Sequence, residues 1–559
     1  MHSTEQPAPT RRWRIGGVVA AMAATLTLAA CGGGSDGDSK TSTASAGGGS
    51  TTSGGGSGTL TIGVSSDPQT LDPEWGQAHR ANETIKNLYA QWTRYEVIDN
   101  GDGTLKADLT KDPVGEAIES YTLSDDGKTV NIKLRPDAKL PDGEPITADT
   151  FLFKVERALE MNAGSIFDFN ILGITKMSQV KKVSDSEIQF KLPNPSPIVG
   201  PMLRDQDAGL VDPKLVKEHM TDDDPWGTEW VAQNGAPTGA YVIEKYEPGR
   251  QLVLKANPNY WGEKPNFERV VLQVIPDEGQ RAQLLRQGAI DIAADMSTDA
   301  IARLDGAPGV RVHSVPAISQ HQLGLVNDKP PFNDARVRQA IAHAIPYQSL
   351  ADNVMGGRAA TPKGVWPQNS AWFDESVEWP YATDPEKAKQ LLAEAGAENL
   401  EFTVQISDAD ADAQALAVPI QSALRDIGVT MNIEKVAAAR FSKNLTKRSM
   451  QAWIQSGLGA YVDDPYYMAF LSHASTAVIN WTNYKNEKVD DITEELSKTV
   501  DRDRRQELAT ELQAALNQDV PIIPLAEPNW MLPTREDIEG VLWEPDGLLT
   551  YRLLKRAGN

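Results

Sequence analysis

The sequence predicts an α/β protein with more than one packed region. Segments in which apolar and polar residues alternate, as in half-buried strands, recur between segments whose apolar residues follow helical spacing. The chain has 559 residues, which is long for a single hydrophobic core, so two or three packed regions are expected. Apolar residues make up 40% and charged residues 23%, as is ordinary for a globular protein.

The elements of the first half follow from these two spacings. In chain order they are a strand at 59–65, a strand at 130–134, a helix that begins after Thr147, a strand at 188–192, strands at 252–254 and 270–275, and a helix from Asp277 to Gly288. Thr147 and Asp277 suit helix N-caps, because their side-chain oxygens accept hydrogen bonds from free N–H groups of the first turn. Phe151, Val155 and Leu159 then share one face of the first helix.

The second half is richer in helical spacing. Its predicted elements are a helix around 337–345, a helix at 384–396, a helix and then a strand within 411–436, and two helices near 486–499 and 502–517. The helix at 384–396 has the clearest ends. Asp384 is an N-cap, Pro385 suits the first helical position, and Gly396 suits the left-handed residue that stops a helix.

The N-terminus is typical of a secretory signal. Arg11, Arg12 and Arg14 precede the apolar run 15–30, which is shorter than the ~20 residues that a membrane-spanning helix needs. We therefore expect residues 1–30 to be a signal peptide. No later segment of the sequence is apolar enough to span a membrane.

The sole cysteine, Cys31, directly follows Leu28-Ala29-Ala30, which resembles the lipobox of bacterial lipoproteins, where a lipid is attached to the cysteine. With one cysteine, the chain cannot form an internal disulfide. Residues 31–58 are dominated by Gly, Ser and Thr and predict a flexible tether, with folded structure from Thr59. The expected location is therefore extracytoplasmic, in the periplasmic space, with a lipid anchor in the cell membrane.

Composition and motifs exclude several classes of function. The net charge of −23 argues against a nucleic-acid partner, because binding phosphates needs clustered Lys and Arg. The seven histidines show no metal-ligand spacing, and no nucleophile or phosphate-binding motif occurs. Asp463 and Asp464 are adjacent and should point to opposite faces if extended, which disfavours a catalytic pair. The sequence thus predicts a protein that is not an enzyme and holds no cofactor or metal.

Tryptophan is abundant, with 13 in the chain, and several lie in loop-like settings. Trp offers a large contact area with few rotamers to freeze, which suits ligand clefts. Each of these tryptophans can instead be a core residue, and the sequence leaves both interpretations open.

Seven segments resemble the extracellular solute-binding proteins of peptide-type ABC importers, the oligopeptide- and dipeptide-binding family 5. They spread over the body of the chain from about 59 to 530. They are 59–73, with its Leu-Asp-Pro turn, 142–149, 237–242, 247–262, which ends in Asn-Pro-Asn-Tyr-Trp-Gly, 281–292, 332–341 and 384–396.

The resemblance implies a two-lobed α/β fold like that of periplasmic binding proteins (type II, large peptide-binder class), with the ligand cleft between the lobes. Lobe I is expected to comprise 59–318 with 525–559, and lobe II 319–524. The implied function is capture of a peptide or peptide-like solute by a monomer and delivery to the ABC permease subunits. The same fold binding an oligosaccharide or another non-peptide solute, or serving in signalling, stays open.

One departure from the family pattern concerns the ligand's amino group. In the family's peptide binders, an Asp three residues after the Trp of a Gly-Trp segment pairs with the peptide α-ammonium. In this chain Leu458 stands at the Trp position and Tyr461 at the Asp position. A buried ammonium without a carboxylate partner is costly, so either Asp463 takes the role in a shifted register or the ligand has no α-ammonium. We favour the second.

Other candidate ligand contacts also come from the resemblance. Gln77 and His79 stand where the family lines the ligand strand, although His79 can equally be a surface residue. Trp366 follows Gly364-Val365 in a loop that faces the cleft in the family. Trp481 is a further candidate.

Overall fold

The structure, a computed structural model, describes residues 58–76, 78–459 and 461–558. The predicted signal peptide, Cys31 and nearly all of the tether lie outside the described residues, as does Gln77. In the part of the chain that is described, no helix is both long and apolar enough to cross a membrane.

The described residues form 23 β-strands. They are β1 (Thr59–Val64), β2 (Thr93–Arg94), β3 (Val97–Asp99), β4 (Thr104–Ala107), β5 (Val114–Gly115), β6 (Ile118–Leu123), β7 (Thr129–Leu134), β8 (Val180–Ser184), β9 (Glu187–Lys191), β10 (Tyr241–Glu247), β11 (Gln251–Ala256), β12 (Arg269–Val274), β13 (Ile292–Ala293), β14 (Val310–Pro316), β15 (Ser319–Leu325), β16 (Ala359–Ala360), β17 (Glu401–Ser407), β18 (Thr430–Val436), β19 (Ala452–Gly459), β20 (Ile522–Arg535), β21 (Ile538–Glu539), β22 (Val541–Trp543) and β23 (Lys555–Arg556).

The α-helices alternate with these strands. They are α1 (His79–Leu88), α2 (Ala148–Met161), α3 (Ile166–Ile171), α4 (Val199–Arg204), α5 (Pro213–Glu218), α6 (Thr228–Asn234), α7 (Glu278–Arg286), α8 (Thr298–Ala302), α9 (Ala335–Ala344), α10 (Tyr347–Ser349), α11 (Pro385–Ala395), α12 (Ala411–Asp426), α13 (Ala438–Thr446), α14 (Pro465–Met468), α15 (Glu487–Leu496) and α16 (Arg502–Asp519). The predicted α/β class is confirmed.

The predicted ends of α11 are confirmed in detail. The Asp384 side chain accepts a hydrogen bond from the Lys387 N–H at 2.9 Å, and Pro385 is the first helical residue. Gly396 has φ +65°, the left-handed conformation that glycine adopts without steric cost. This helix is defined by local residues alone.

Both lobes share one 12-stranded sheet. Its order is β10-β11-β12-β1-β13-β20-β15-β19-β17-β18, with β14 and β16 also paired to β20. The β1 strand pairs in parallel with both β12 and β13, whereas β20 is antiparallel to its partners. Strand β20 therefore joins the two halves of the molecule.

The long strand β20 changes partners midway. Its first part pairs with β15 as far as Ala526, and its second part pairs with β14 from Asn529. The turn from β14 to β15 consists of Ala317 and Ile318, so two chain connections run side by side between the two halves of the sheet.

Three large cores lie around this framework. One draws its buried residues from Leu60 to Ala294 and from Leu532 to Leu554. A second lies wholly between Leu323 and Ala526. The third packs α2, α3 and α4 on the four-stranded sheet β6-β7-β9-β8. The prediction of two lobes did not separate this third core from lobe I.

Glu527 lies between the two parts of β20, and its carboxyl group makes the stability of the folded protein depend on pH. It is 1% exposed, and its carboxylate accepts hydrogen bonds from Gln320 Nε2 at 3.0 Å and from the Gln368 N–H at 3.1 Å. Burial raises its pKa from 4.5 to about 7. The folded state therefore holds this proton more tightly than the unfolded chain, and Glu527 lowers stability as the pH rises from about 4.5 to about 7.

We expect the Glu527→Gln variant, which keeps the neutral form at every pH, to match the parent protein near pH ~5 and to exceed its stability near pH ~8. Melting temperatures of both proteins at the two pH values measure this difference. Glu398→Gln, at an exposed position, is the control and should give the same difference at both. The expected sign would be contradicted if the parent protein became more stable relative to the Glu527→Gln variant as the pH rises from ~5 to ~8.

Candidate functional site

A cavity of about 450 Å³ opens where the two halves of the sheet meet. Its walls come from the start of α1, the residues after β13, the turn between β14 and β15, the end of β19, and β20 with the segment after β22. The lining residues are His79, Arg80, Glu83, 294–296, 317–319, 457–459, Tyr461, 530–532, Trp543, 545–547 and Leu549. We call this cavity the cleft.

Three of the predicted contacts meet in the cleft. Tyr461 is 39% exposed, and Leu458 is half-buried at the end of β19. The His79 side chain is 53% exposed, and its Nε2 atom lies 3.9 Å from a carboxylate oxygen of Glu83. These residues come from sequence positions far apart, and the structure brings them to one cavity.

Asp463 lies elsewhere. Its side chain accepts hydrogen bonds from the Ser370 hydroxyl and from the Ala371 N–H at 2.7 Å, and it does not line the cleft. Burial raises its pKa to about 6. Adjacent Asp464 turns to other partners, since it caps α14 and pairs with Arg505. Asp463 is thus engaged in the second lobe and does not face a ligand in the cleft.

Trp366 does not line the cleft. It is 1% exposed and belongs to a core with Trp372, Tyr484 and Leu512. The expectation that it faces the ligand is corrected here: the neighbouring Val365 N–H is bonded to Asn517 Oδ1 at 3.0 Å, and the loop packs against α16.

Trp481 lines a side pocket next to the cleft. The side pocket measures about 50 Å³ and is mostly walled by apolar and aromatic residues, among them Val365, Trp453, Met468, Leu471 and Ile479. Leu458 and Gly459 line both the side pocket and the cleft, so the two spaces adjoin.

Every carboxylate that lines the cleft already has a cationic partner among the described residues. Asp295 Oδ1 lies 2.8 Å from Arg80 NH2, and Arg80 also pairs with Glu83. Burial acts to raise the pKa of Asp295, but the Arg80 charge and hydrogen bonds from Ser65 outweigh it, and the pKa is lowered. Asp546 is held at 2.9 Å by both Lys86 and Arg204.

Sequence reasoning missed these charged residues. Arg80 and Asp295 are 215 positions apart, and neither belongs to a short motif. Asp295 has φ +57°, an uncommon backbone conformation that no local sequence pattern predicts. Trp530, one of the 13 tryptophans, lies on β20 in the cleft wall and not in a loop.

The arrangement is that of a two-lobed binding protein whose cleft is lined by polar and apolar residues from both halves of the sheet. The model of the family described as bacterial extracellular solute-binding proteins, family 5, middle part, matches residues 112–478. The chain belongs to this family, whose members are solute-binding proteins of transport systems.

Relatives and solved structures agree with this assignment. The chain is 27% identical over 488 residues to the probable D,D-dipeptide-binding periplasmic protein DdpA of Escherichia coli K12, covering 87% of this chain and 92% of the relative. It is 25% identical over 452 residues to the dipeptide-binding protein of the same strain, covering 77% and 83%. The structure of DppA from Helicobacter pylori in complex with the peptide STSA matches with a TM-score of 0.73 at 21% identity, covering 89% of this chain and 98% of that one.

Proposed function

We propose that this protein captures a peptide-like solute in the cleft and delivers it to the permease subunits of an ABC importer. The observation that carries the proposal is the cleft itself, which is walled by both halves of one sheet at the place where two short connections join them. The names of the two similar E. coli proteins, a probable D,D-dipeptide-binding protein and a dipeptide-binding protein, support a peptide-like solute.

The proposed lobes are 59–318 with 525–559, and 319–524. Closure about the 317–318 turn and the 526–529 stretch of β20 would bring Tyr461 and Leu458 of one lobe towards His79 of the other. The protein acts as a monomer without catalysis or cofactor. Removal of residues 1–30 and a lipid on Cys31 would hold it at the membrane by the 31–58 tether, outside the cytoplasm.

We further propose that the end of the solute next to Tyr461 carries no ammonium group. The acids of the cleft wall, Glu83, Asp295 and Asp546, are bonded to Arg80, Lys86 or Arg204. Asp463 is occupied by Ser370 and Ala371. Among the described residues of the cleft wall, an ammonium buried here would find no unpaired carboxylate, whereas the Tyr461 hydroxyl can bond a neutral acyl or amide group.

Thermal unfolding of the 59–559 fragment tests both statements. The panel contains short peptides with a free amine, the same peptides N-acetylated, and oligosaccharides. A bound ligand at about 100 times its dissociation constant adds ~2.7 kcal/mol to the free energy of unfolding. We expect the N-acetylated peptides to raise the melting temperature most. Equal shifts with free amines would contradict the ammonium argument, and a response to sugars alone would contradict the peptide proposal.

A further inference from the structure

A second cavity of about 440 Å³ lies apart from the cleft and shares no lining residue with it. Its walls come from three stretches of the chain. They are residues 86–116 with Arg135, residues 239–263, which include the Tyr-Trp-Gly end of the longest family-like segment, and residues 542–553. We call it the rear cavity. The proposed transport function makes no use of it.

Helix α1 separates the two spaces. His79, Arg80 and Glu83 of its first turns line the cleft, whereas Lys86 and Asn87 of its last turn line the rear cavity. Lys86 Nζ bonds Glu544 on the rear side and Asp546 on the cleft side. These bonds close the wall, so the rear cavity is a separate site.

Four charged residues of the rear cavity, two of each sign, lack an ionic partner among the described residues. Among the described residues, no carboxylate oxygen lies within 4.0 Å of the Arg552 or Arg94 side-chain nitrogens, and no cation lies that close to Glu116 or Glu263. The two other cations are paired, Lys86 with Glu544 and Arg135 with Asp137 outside the lining.

Arg552 and Glu116 form the inner part of this set. Both are half-buried, while Arg94 and Glu263 are exposed at the rim. Glu116 Oε1 accepts a hydrogen bond from the Tyr260 hydroxyl at 2.8 Å. Burial acts to lower the pKa of Arg552, but the surrounding Tyr260, Glu116, Glu544 and Glu263 outweigh it and raise the pKa, so the guanidinium stays charged.

Charged groups within a protein are normally paired, since a charge removed from water without a partner is costly. Here the four unpaired charges of both signs line one cavity, and no ion pair within 4.0 Å joins them among the described residues. A molecule that carries both a carboxylate and an ammonium would satisfy both ends at once. Tyr95, Tyr260 and Trp261 line the same cavity, and their aromatic rings offer apolar surface to a ligand.

We propose that the rear cavity binds a free α-amino acid with an apolar or aromatic side chain, its carboxylate on Arg552 and its ammonium towards Glu116. The volume of about 440 Å³ accommodates one such molecule with water. This site is independent of the cleft and of the solute that the cleft takes.

Calorimetric titration of the purified full chain with L-phenylalanine and L-leucine tests the proposal. N-acetyl-L-phenylalanine, which lacks the ammonium, and phenethylamine, which lacks the carboxylate, are the matched ligands. We expect both to bind at least about 10-fold more weakly than L-phenylalanine, since each loses one charge-assisted contact. Neither comparison depends on a variant that has to fold.

Variants then locate the site. Arg552→Gln should weaken L-phenylalanine at least about 10-fold and leave the ligand of the cleft unaffected. Arg425→Gln, at an exposed position on α12, is the matched control and should change nothing. The proposal is overturned if neither amino acid binds at about millimolar concentration, if the analogues bind as well, or if the cleft substitution Leu458→Arg abolishes binding while Arg552→Gln does not. Failure of the transport proposal would appear separately, as absence of any cleft ligand.

Discussion

We expect the Asp72→Asn variant to lose about 3–5 kcal/mol of unfolding free energy, the largest stability effect predicted here. Asp72 belongs to the Leu-Asp-Pro turn, and its two carboxylate oxygens lie 2.7 and 2.6 Å from the two terminal nitrogens of Arg157 on α2. Both side chains are 0% exposed. Loss of the carboxylate charge would leave the Arg157 guanidinium buried without its main partner.

The neighbouring pair makes this site more sensitive. Lys154 Nζ lies 2.6 Å from Glu74 Oε1, again with both side chains 0% exposed, and Arg157 approaches the same oxygen at 3.7 Å. Asp72 also accepts a hydrogen bond from the Glu74 N–H at 3.0 Å, which an asparagine oxygen can retain. The variant therefore removes charge while it preserves the shape of the turn.

Urea unfolding followed by tryptophan fluorescence measures the loss. The control is Glu119→Gln, which breaks an exposed pair with Lys133 of similar length, 2.9 Å, and should cost no more than about 1 kcal/mol. Adding Arg157→Met to Asp72→Asn should recover part of the loss, because the unpaired charge is then gone. If Asp72→Asn and Glu119→Gln cost the same, burial of the pair has no special role.

For ligand binding, the largest effect is expected from Tyr461→Asp. The variant should bind peptides with a free α-amine about 10–100-fold more tightly than the parent protein does, because it adds a carboxylate that is not paired with a cation of the cleft wall, as Glu83, Asp295 and Asp546 are. N-acetylated peptides should gain nothing. Titration of the two peptide forms against both proteins measures the change.

Tyr461 lies near other carboxylates. Burial raises the pKa of its phenol, and so do the nearby carboxylates of Asp205, Asp546 and Asp207. Tyr461→Asn is the matched control, equal in size to the Asp variant but neutral. An equal response of the Asn and Asp variants would show that the loss of the phenol ring, and not the charge, changes binding.

Local elements of the fold were predictable from the sequence because their causes lie within a few residues. The ends of α11 depend on Asp384, Pro385 and Gly396, and the alternation in 59–64 is sufficient to mark β1. The helix after Thr147 was likewise found from its cap and its apolar face. The alternation of strand-like and helix-like segments predicted the α/β class, and the family pattern supplied the two lobes.

The candidate site was predictable only in part. His79, Leu458 and Tyr461 do line one cavity, as the family pattern implied. Trp366 and Asp463 do not, because a sequence position fixes a residue's place along the chain but not the direction of its side chain. That direction depends on partners such as Ser370 and the core around α16, which become neighbours only after folding.

The sequence by itself determined the local elements and the family. It also showed that Tyr461 stands where the peptide binders of the family have an aspartate. Only the tertiary structure decided which charges are free. Asp295 finds Arg80 across 215 positions, and Arg552 remains without a carboxylate although Glu116 lines the same cavity. The physical reason is that the energy of a charge depends on its distance from every other charge and on its burial, and both are set by packing between segments remote in sequence.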